Sequence, residues 1–255
     1  MPSVQVCKIV SVNAVINNRP CTMLVDSGTT SLMMNHSMAK ELDILKYIDK
    51  INKLGLQTWE GRVLIEFLVI KNIEVQLEKD IVLLCDIYIT PFDKELPINA
   101  PIVLDNKTLR NKHVIQTFER KFSKLYFPNP KVLKRPITTK DVIYTLKAHA
   151  TEALDQPSLS ILLDSGACDV YISKNCWENK LGLRVRPEEV RIKVGPNSFI
   201  HSRRVDDCTI FGLDLVLGLN MLTKYRCALD YHAHKLYFKK SNKVYVAKTN
   251  AKKTS

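Results

Sequence analysis

Two aspartates share the same neighbours. Asp26 ends the apolar run in "CTMLVDSGTTSL" (Cys21–Leu32), and Asp164 ends the one in "LSILLDSGACDVY" (Leu159–Tyr171); Ser-Gly follows both. Each reads as a carboxylate at the end of a buried strand, held on a tight turn that glycine permits. Two such turns facing each other set their carboxylates within hydrogen-bond distance. Like charges that close cannot both ionise, so the pair shares one proton. One carboxylate then acts as base on a bound water while its protonated partner polarises an amide carbonyl. That is peptide hydrolysis without a metal, a cofactor or a covalent intermediate. Ser27 and Ser165 are not nucleophile candidates, because no histidine lies at a spacing that would activate them.

The elements that must carry these turns are strands. Alternating, β-branched segments dominate, among them "RVLIEFLVI", "IVLLCDIYI" and "VRIKV". Asn17-Asn18 between two such runs predicts a hairpin turn. Helical patterning is confined to short stretches such as "HSMAKEL" and "SKNCWENKL", so the class is all-β, mainly strand with short helices.

The chain also repeats itself. "AKELDI" (Ala39–Ile44) returns as "ENKLGL" (Glu178–Leu183), and "KLYF" occurs at Lys124–Phe127 and again at Lys235–Phe238. From Asp26 to Leu125 is 99 residues and from Asp164 to Leu236 only 72, so the second unit is expected to have lost a strand pair. The division that follows is lobe one at 1–127, a Pro-rich basic linker at 128–141, a shortened lobe two at 142–240, and a polar basic tail at 241–255, expected to fray.

"LVDSGTTSL" and "LLDSGACDVYI" resemble the active-site loops of aspartic peptidases of the retropepsin branch, in particular Ty3/gypsy-type retroelement proteases and their domesticated relatives. "LVLGLNMLTKYRCALDYHAHKLYF" (Leu215–Phe238) is similar to that family's second landmark, an apolar pair before glycine, then a closing strand. The resemblance covers both units. It implies two retropepsin-like β-barrel lobes forming a single-chain pseudo-dimer, with Asp26 facing Asp164 as the catalytic pair. It also implies that Ser27 and Ser165 brace the opposite loop, that Gly28 and Gly166 form the turns, and that Thr29 and Ala167 sit just outside them. Substrate flaps are implied at "LGLQTWEGRVL" (Leu54–Leu64), with Trp59 near the tip, and at "VRIKVGPNSFI" (Val190–Ile200), with Gly195, Pro196 and Asn197 at the turn. Two departures stand out. Lobe one has Asp105 in "PIVLDNKTL" (Pro101–Leu109) where lobe two has Gly218, and is expected there to distort the loop or add a third charge. The linker is expected to break up the sheet that terminal strands form between the two units.

Bulk properties narrow the alternatives. The chain has 255 residues and a formal net charge of +12, with 45% hydrophobic residues, which makes it globular. The basic balance suits an acidic partner such as nucleic acid, but the clusters at Lys131–Arg135, Arg203-Arg204 and Lys239–Lys253 have no aromatic interleaving and no nucleic-acid motif. Seven cysteines without a C-x-x-C pair suggest neither a disulfide framework nor a zinc site. No apolar run reaches the roughly 20 residues of a membrane helix, and no signal peptide is visible, so an intracellular location, cytoplasm or nucleus, is expected. Cys168 reads as a small buried residue, His232 and His234 as surface or turn residues, and Trp177 as core packing for its short helix.

The reading is an aspartic endopeptidase that cleaves extended peptide segments with water activated by Asp26 and Asp164, and a polypeptide as partner. The alternative is a catalytically inactive retropepsin-like binding or scaffold module, in a nucleoprotein assembly. The oligomeric state stays open, since two chains that exchange lobes would build the same site.

Overall fold

The computed structural model describes residues 10–58, 61–78, 81–96, 100–119, 123–127, 133, 142–149, 157–195, 198–202, 205–208, 212–240 and 243–253. Trp59, Pro196, Asn197 and all of the linker except Leu133 lie outside them.

Lobe one contains β1 (Ser11–Ile16), β2 (Arg19–Asp26), β3 (Met33–Met34), β4 (Lys50–Thr58), β5 (Gly61–Glu78), β6 (Ile81–Ile89), β7 (Ile102–Asp105), β8 (Ile115–Phe118) and β9 (Ser123–Tyr126). Its helices are α1 (His36–Glu41) and α2 (Asn106–Asn111). The expected turn joins β1 to β2: Asn17 and Asn18 both take left-handed φ, 50° and 60°, which matches the twist of a two-residue hairpin. The strands run β1-β2-β7-β3-β6-β5, and β5 pairs back onto β1 through Val15↔Gln76 and Ile16↔Val75. The barrel is therefore closed, with β4 attached along β5.

Lobe two contains β10 (Val142–His149), β11 (Ser158–Leu163), β12 (Val170–Ser173), β13 (Val190–Gly195), β14 (Ser198–Ser202), β15 (Val205–Cys208), β16 (Leu215–Leu217), β17 (Ala228–Asp230), β18 (Lys235–Lys240) and β19 (Lys243–Lys253). A π-type turn at Cys176–Lys180 and α3 (Leu219–Lys224) are its helical pieces, and Trp177 is buried as expected. The pairings repeat those of lobe one: β11 lies parallel to β16 as β2 does to β7, and β12 joins β15 and β16 as β3 joins β6 and β7. The expected loss of a strand pair is thus corrected. Each strand of lobe one has a counterpart, but β5 has 18 residues against 5 in β14, and β6 has 9 against 4 in β15. The second half of β5 is what reaches β1, and β14 is too short to make that return. Lobe two stays an open half-barrel.

Between the lobes β8 pairs antiparallel with β17, Gln116 opposite Leu229, so the strand order runs β9-β8-β17-β18-β19-β10. The two "KLYF" copies lie on β9 and β18, one on either side of this central pair. Two further expectations are corrected here. The linker does not break the sheet, because the β8–β9 hairpin is complete before Pro128. The tail is not frayed: Lys243–Lys253 pair with both β18 and β10.

Strands that bear the candidate aspartates are buried on both faces. Met23 and Val25 enter the main core, which runs through both lobes, while Leu24 between them enters a second cluster with Met33, Phe67 and Val103. Lobe two repeats this on a smaller scale, with Leu162 packed on Leu213 and Val216. No helix among the described residues is long and apolar enough to cross a membrane.

Candidate active site

β2 and β11 end at the lobe interface, and their Asp-Ser-Gly turns meet there. The Ser27 amide donates to Ser165 Oγ at 3.0 Å, and the Ser165 amide donates to Ser27 Oγ at 2.8 Å. Each hydroxyl then donates across the interface to a carbonyl, Ser27 to Leu163 and Ser165 to Val25, both at 2.9 Å. Four buried bonds thus lock the two turns reciprocally. Serine suits the position because a hydroxyl accepts and donates at once.

The glycines do something that their turns alone do not require. A Cβ on Gly28 would lie 2.7 Å from Cγ of Asp164, and one on Gly166 would lie 2.6 Å from Cγ of Asp26. Each glycine is pressed against the carboxyl group of the opposite lobe, which leaves no room for a methyl group. Each carboxyl group is thereby held at the opposite turn, near enough for the Asp26 charge to act on Asp164. Asp26 is buried; Asp164 keeps a partly exposed edge. Burial, then the Asp26 charge and the hydrogen bond to it, push Asp164 well above the usual carboxylate range, against the pull of the Gly166 and Ala167 amides.

Asp105 is corrected as a threat to this geometry. It stands beside Asp26 in the β2–β7 ladder, but its side chain turns to the start of α2, where Thr108 donates its amide at 2.8 Å and its hydroxyl at 2.7 Å. Asp105 is a helix cap rather than a third member of the pair. Its complete burial pushes its carboxyl above the usual range, while Thr108 works in the opposite direction. Next to it, Asn106 donates its amide to Thr29 O and its side-chain Nδ2 to Ser27 O, both at 2.9 Å, and so supports the turn from below.

Lobe two achieves the same support with main chain. The amides of Gly218, Leu219 and Asn220 donate to the carbonyls of Asp169, Ala167 and Cys168 at 3.0, 2.7 and 2.9 Å. A Cβ on Gly218 would meet Asp169 O at 2.3 Å and Ala167 O at 2.6 Å. The glycine landmark is obligatory here because the loop lies directly against it.

Both proposed flaps are hairpins. β4 and β5 pair out to Thr58↔Gly61, and β13 and β14 out to Gly195↔Ser198. Gly195 ends β13. Asp105, Asn106 and His113 were not singled out as supporting residues by their sequence. The signal for the first was present: Asp three residues before Thr, at the head of a short helix, is a capping pattern. His232 is exposed, as expected of a turn residue. It stacks on His113 of lobe one, with ring centroids 3.7 Å apart. No metal-binding group of three or more His, Cys, Asp or Glu occurs among the described residues.

Residues 12–95 match a protein-family model described as gag-polyprotein putative aspartyl protease. The match spans lobe one from β1 to the loop after β6. Among solved structures, the retroviral protease-like domain of Ddi1 from Leishmania major aligns with a TM-score of 0.34 and 18% identity, over 42% of this chain and 79% of that one. No curated protein matches the sequence. The family match covers a third of the chain, and with the all-β fold and its paired Asp-Ser-Gly turns it makes the chain similar to retropepsin-like proteins.

Proposed function

We propose that the chain is an aspartic endopeptidase that cleaves extended peptide segments bound between its lobes. One observation carries the reading: carboxyl groups from different lobes are brought together, each seated against the glycine of the opposite turn. In such a pair the ionised carboxylate removes a proton from a bound water while the protonated partner hydrogen-bonds the amide carbonyl. Water then adds to the carbonyl carbon and the carbonyl oxygen takes up the partner's proton. Proton transfer to the amide nitrogen releases the amine. The two hairpins, β4–β5 and β13–β14, would close over the substrate and exclude water. In a retroelement setting the substrate is the polyprotein that contains the chain.

The test is cleavage of a mixed pool of unstructured peptides between about pH 3 and 7, where one shared proton is expected. Wild type is run beside Asp26→Asn and Asp164→Asn. Loss of about a thousandfold or more in both single variants supports the pair. A folded wild type that cleaves nothing overturns the reading.

The open half-barrel of lobe two favours a second one, an inactive module that binds protein. Peptide binding without turnover, unchanged by either Asn substitution, would support it.

A further inference from the structure

The two halves of the carboxyl pair receive different donors. Oδ1 of each accepts the amide of its own turn's glycine, Gly28 at 2.7 Å and Gly166 at 2.8 Å, and Oδ1 of Asp164 also accepts the Ala167 amide at 3.1 Å. Only Asp26 receives a hydroxyl: Thr29 Oγ1 donates to its Oδ2 at 2.7 Å. Ala167 occupies the matching place in lobe two and has no hydroxyl to offer. Among the described residues, Asp164 Oδ2 receives no hydrogen bond from outside the pair.

We infer that Thr29 is a positioning residue that fixes the polarity of the pair: its hydroxyl holds the negative charge on Asp26, the base, and leaves the shared proton on Asp164, the acid. A donor aimed at a carboxylate oxygen stabilises the charged form more than the neutral one, because the ionised oxygen is the stronger acceptor. Of two carboxyl groups that compete for one proton, the one without that donor keeps it. The other carboxyl groups on the surrounding elements have donors of their own. Asp105 is engaged by Thr108, and Asp169 accepts from Asn220 Nδ2 at 2.7 Å.

The acid and base roles rest on the peptidase reading; the location of the proton does not. In the reaction, water gives its proton to Asp26 as its oxygen bonds to the carbonyl carbon. The carbonyl π pair moves to oxygen, which takes the Asp164 proton. As the C–N bond breaks, the amine takes the proton from Asp26, and one hydroxyl of the intermediate returns its proton to Asp164. The pair ends as it began.

The assignment predicts which ionisation each variant moves. In the singly ionised pair the charge already lies on Asp26, so Thr29→Ala acts on the first proton lost and Ala167→Thr on the second. Carbon-13 NMR of the aspartate carboxyl groups follows both steps without substrate. Thr29→Ala is expected to raise the lower apparent pKa of the pair by about one pH unit and leave the upper one in place. Thr29→Ser, which keeps the hydroxyl, is expected to retain the wild-type curve. Ala167→Thr is expected to lower the upper value by about one unit and to move the alkaline limb of kcat/KM with it. A Thr29→Ala effect on the upper value would place the charge on Asp164 and overturn the inference, and so would no effect on either value. If the titrations run as expected while wild type cleaves no peptide, the peptidase reading falls and the proton assignment stands.

Discussion

Lobe one supports its aspartate turn with one main-chain and one side-chain bond from Asn106, and lobe two supports the equivalent turn with three successive main-chain amides. In lobe one, Asn106 reaches back to Ser27 and Thr29, and Asp105 closes the start of α2. In lobe two, three successive amides of the Gly218–Asn220 segment grip the loop directly. The closer contact requires a glycine, whereas the looser one leaves space for a capping carboxylate. Where the lobes touch each other, no such freedom exists: Ser27 mirrors Ser165, and Gly28 mirrors Gly166. At the aspartate turns, divergence is thus confined to contacts within a lobe.

The sharpest way to break this comparison is to exchange its key residues. Gly218→Ala drives a methyl group into two carbonyl oxygens and is expected to cost about 3 kcal/mol or more of stability in urea unfolding, or to prevent folding. Next come the serines. Ser27→Ala and Ser165→Ala each remove one donor and strand one amide, for an expected loss of about 2 kcal/mol each. The double variant should lose clearly less than the sum, since the four bonds form one unit. Equal additive losses would mean that the two turns are held independently.

Asp105→Ala is expected to cost only about 1 kcal/mol, the worth of a helix cap, and to leave the Asp164 titration where it was. A shift in that titration would return Asp105 to the role of a third charge. The smallest effect belongs to His234 of lobe two, which feels the charge of Arg110 in lobe one. Burial, then Arg110 and His232, hold His234 below its ordinary value of 6.5. The unfolded chain therefore binds that proton more readily, and stability should fall as pH drops from about 6.5. His234→Gln should flatten this slope by no more than about 0.5 kcal/mol after solvent screening.

The sequence made the repeated turns legible because their residues are constrained locally: an apolar strand, a carboxylate, a serine and a glycine in consecutive positions. Asn17-Asn18 was legible for the same reason. What it hid were relations between distant segments. Nothing local distinguishes the barrel-closing half of β5 from an ordinary strand, since its role depends on meeting β1. The lysine-rich segment Lys243–Lys253 suggested solvation, yet its valines alternate and two neighbours were waiting to pair with it. Asp105 was misjudged because it was compared with Gly218 across the repeat, when its own downstream Thr108 explained it.

The serine lattice has a consequence for how the site responds to dilution. Its partners are 138 residues apart along one covalent chain, so their encounter is intramolecular and its effective concentration is set by the connecting polypeptide. A site assembled from two separate chains empties as the protein is diluted, at a rate set by its dissociation constant. Here the same contacts are expected to persist at any concentration at which the chain is folded. Activity per molecule should then be constant over a broad dilution series, and an exchange of lobes between chains would show itself as a departure from that constancy.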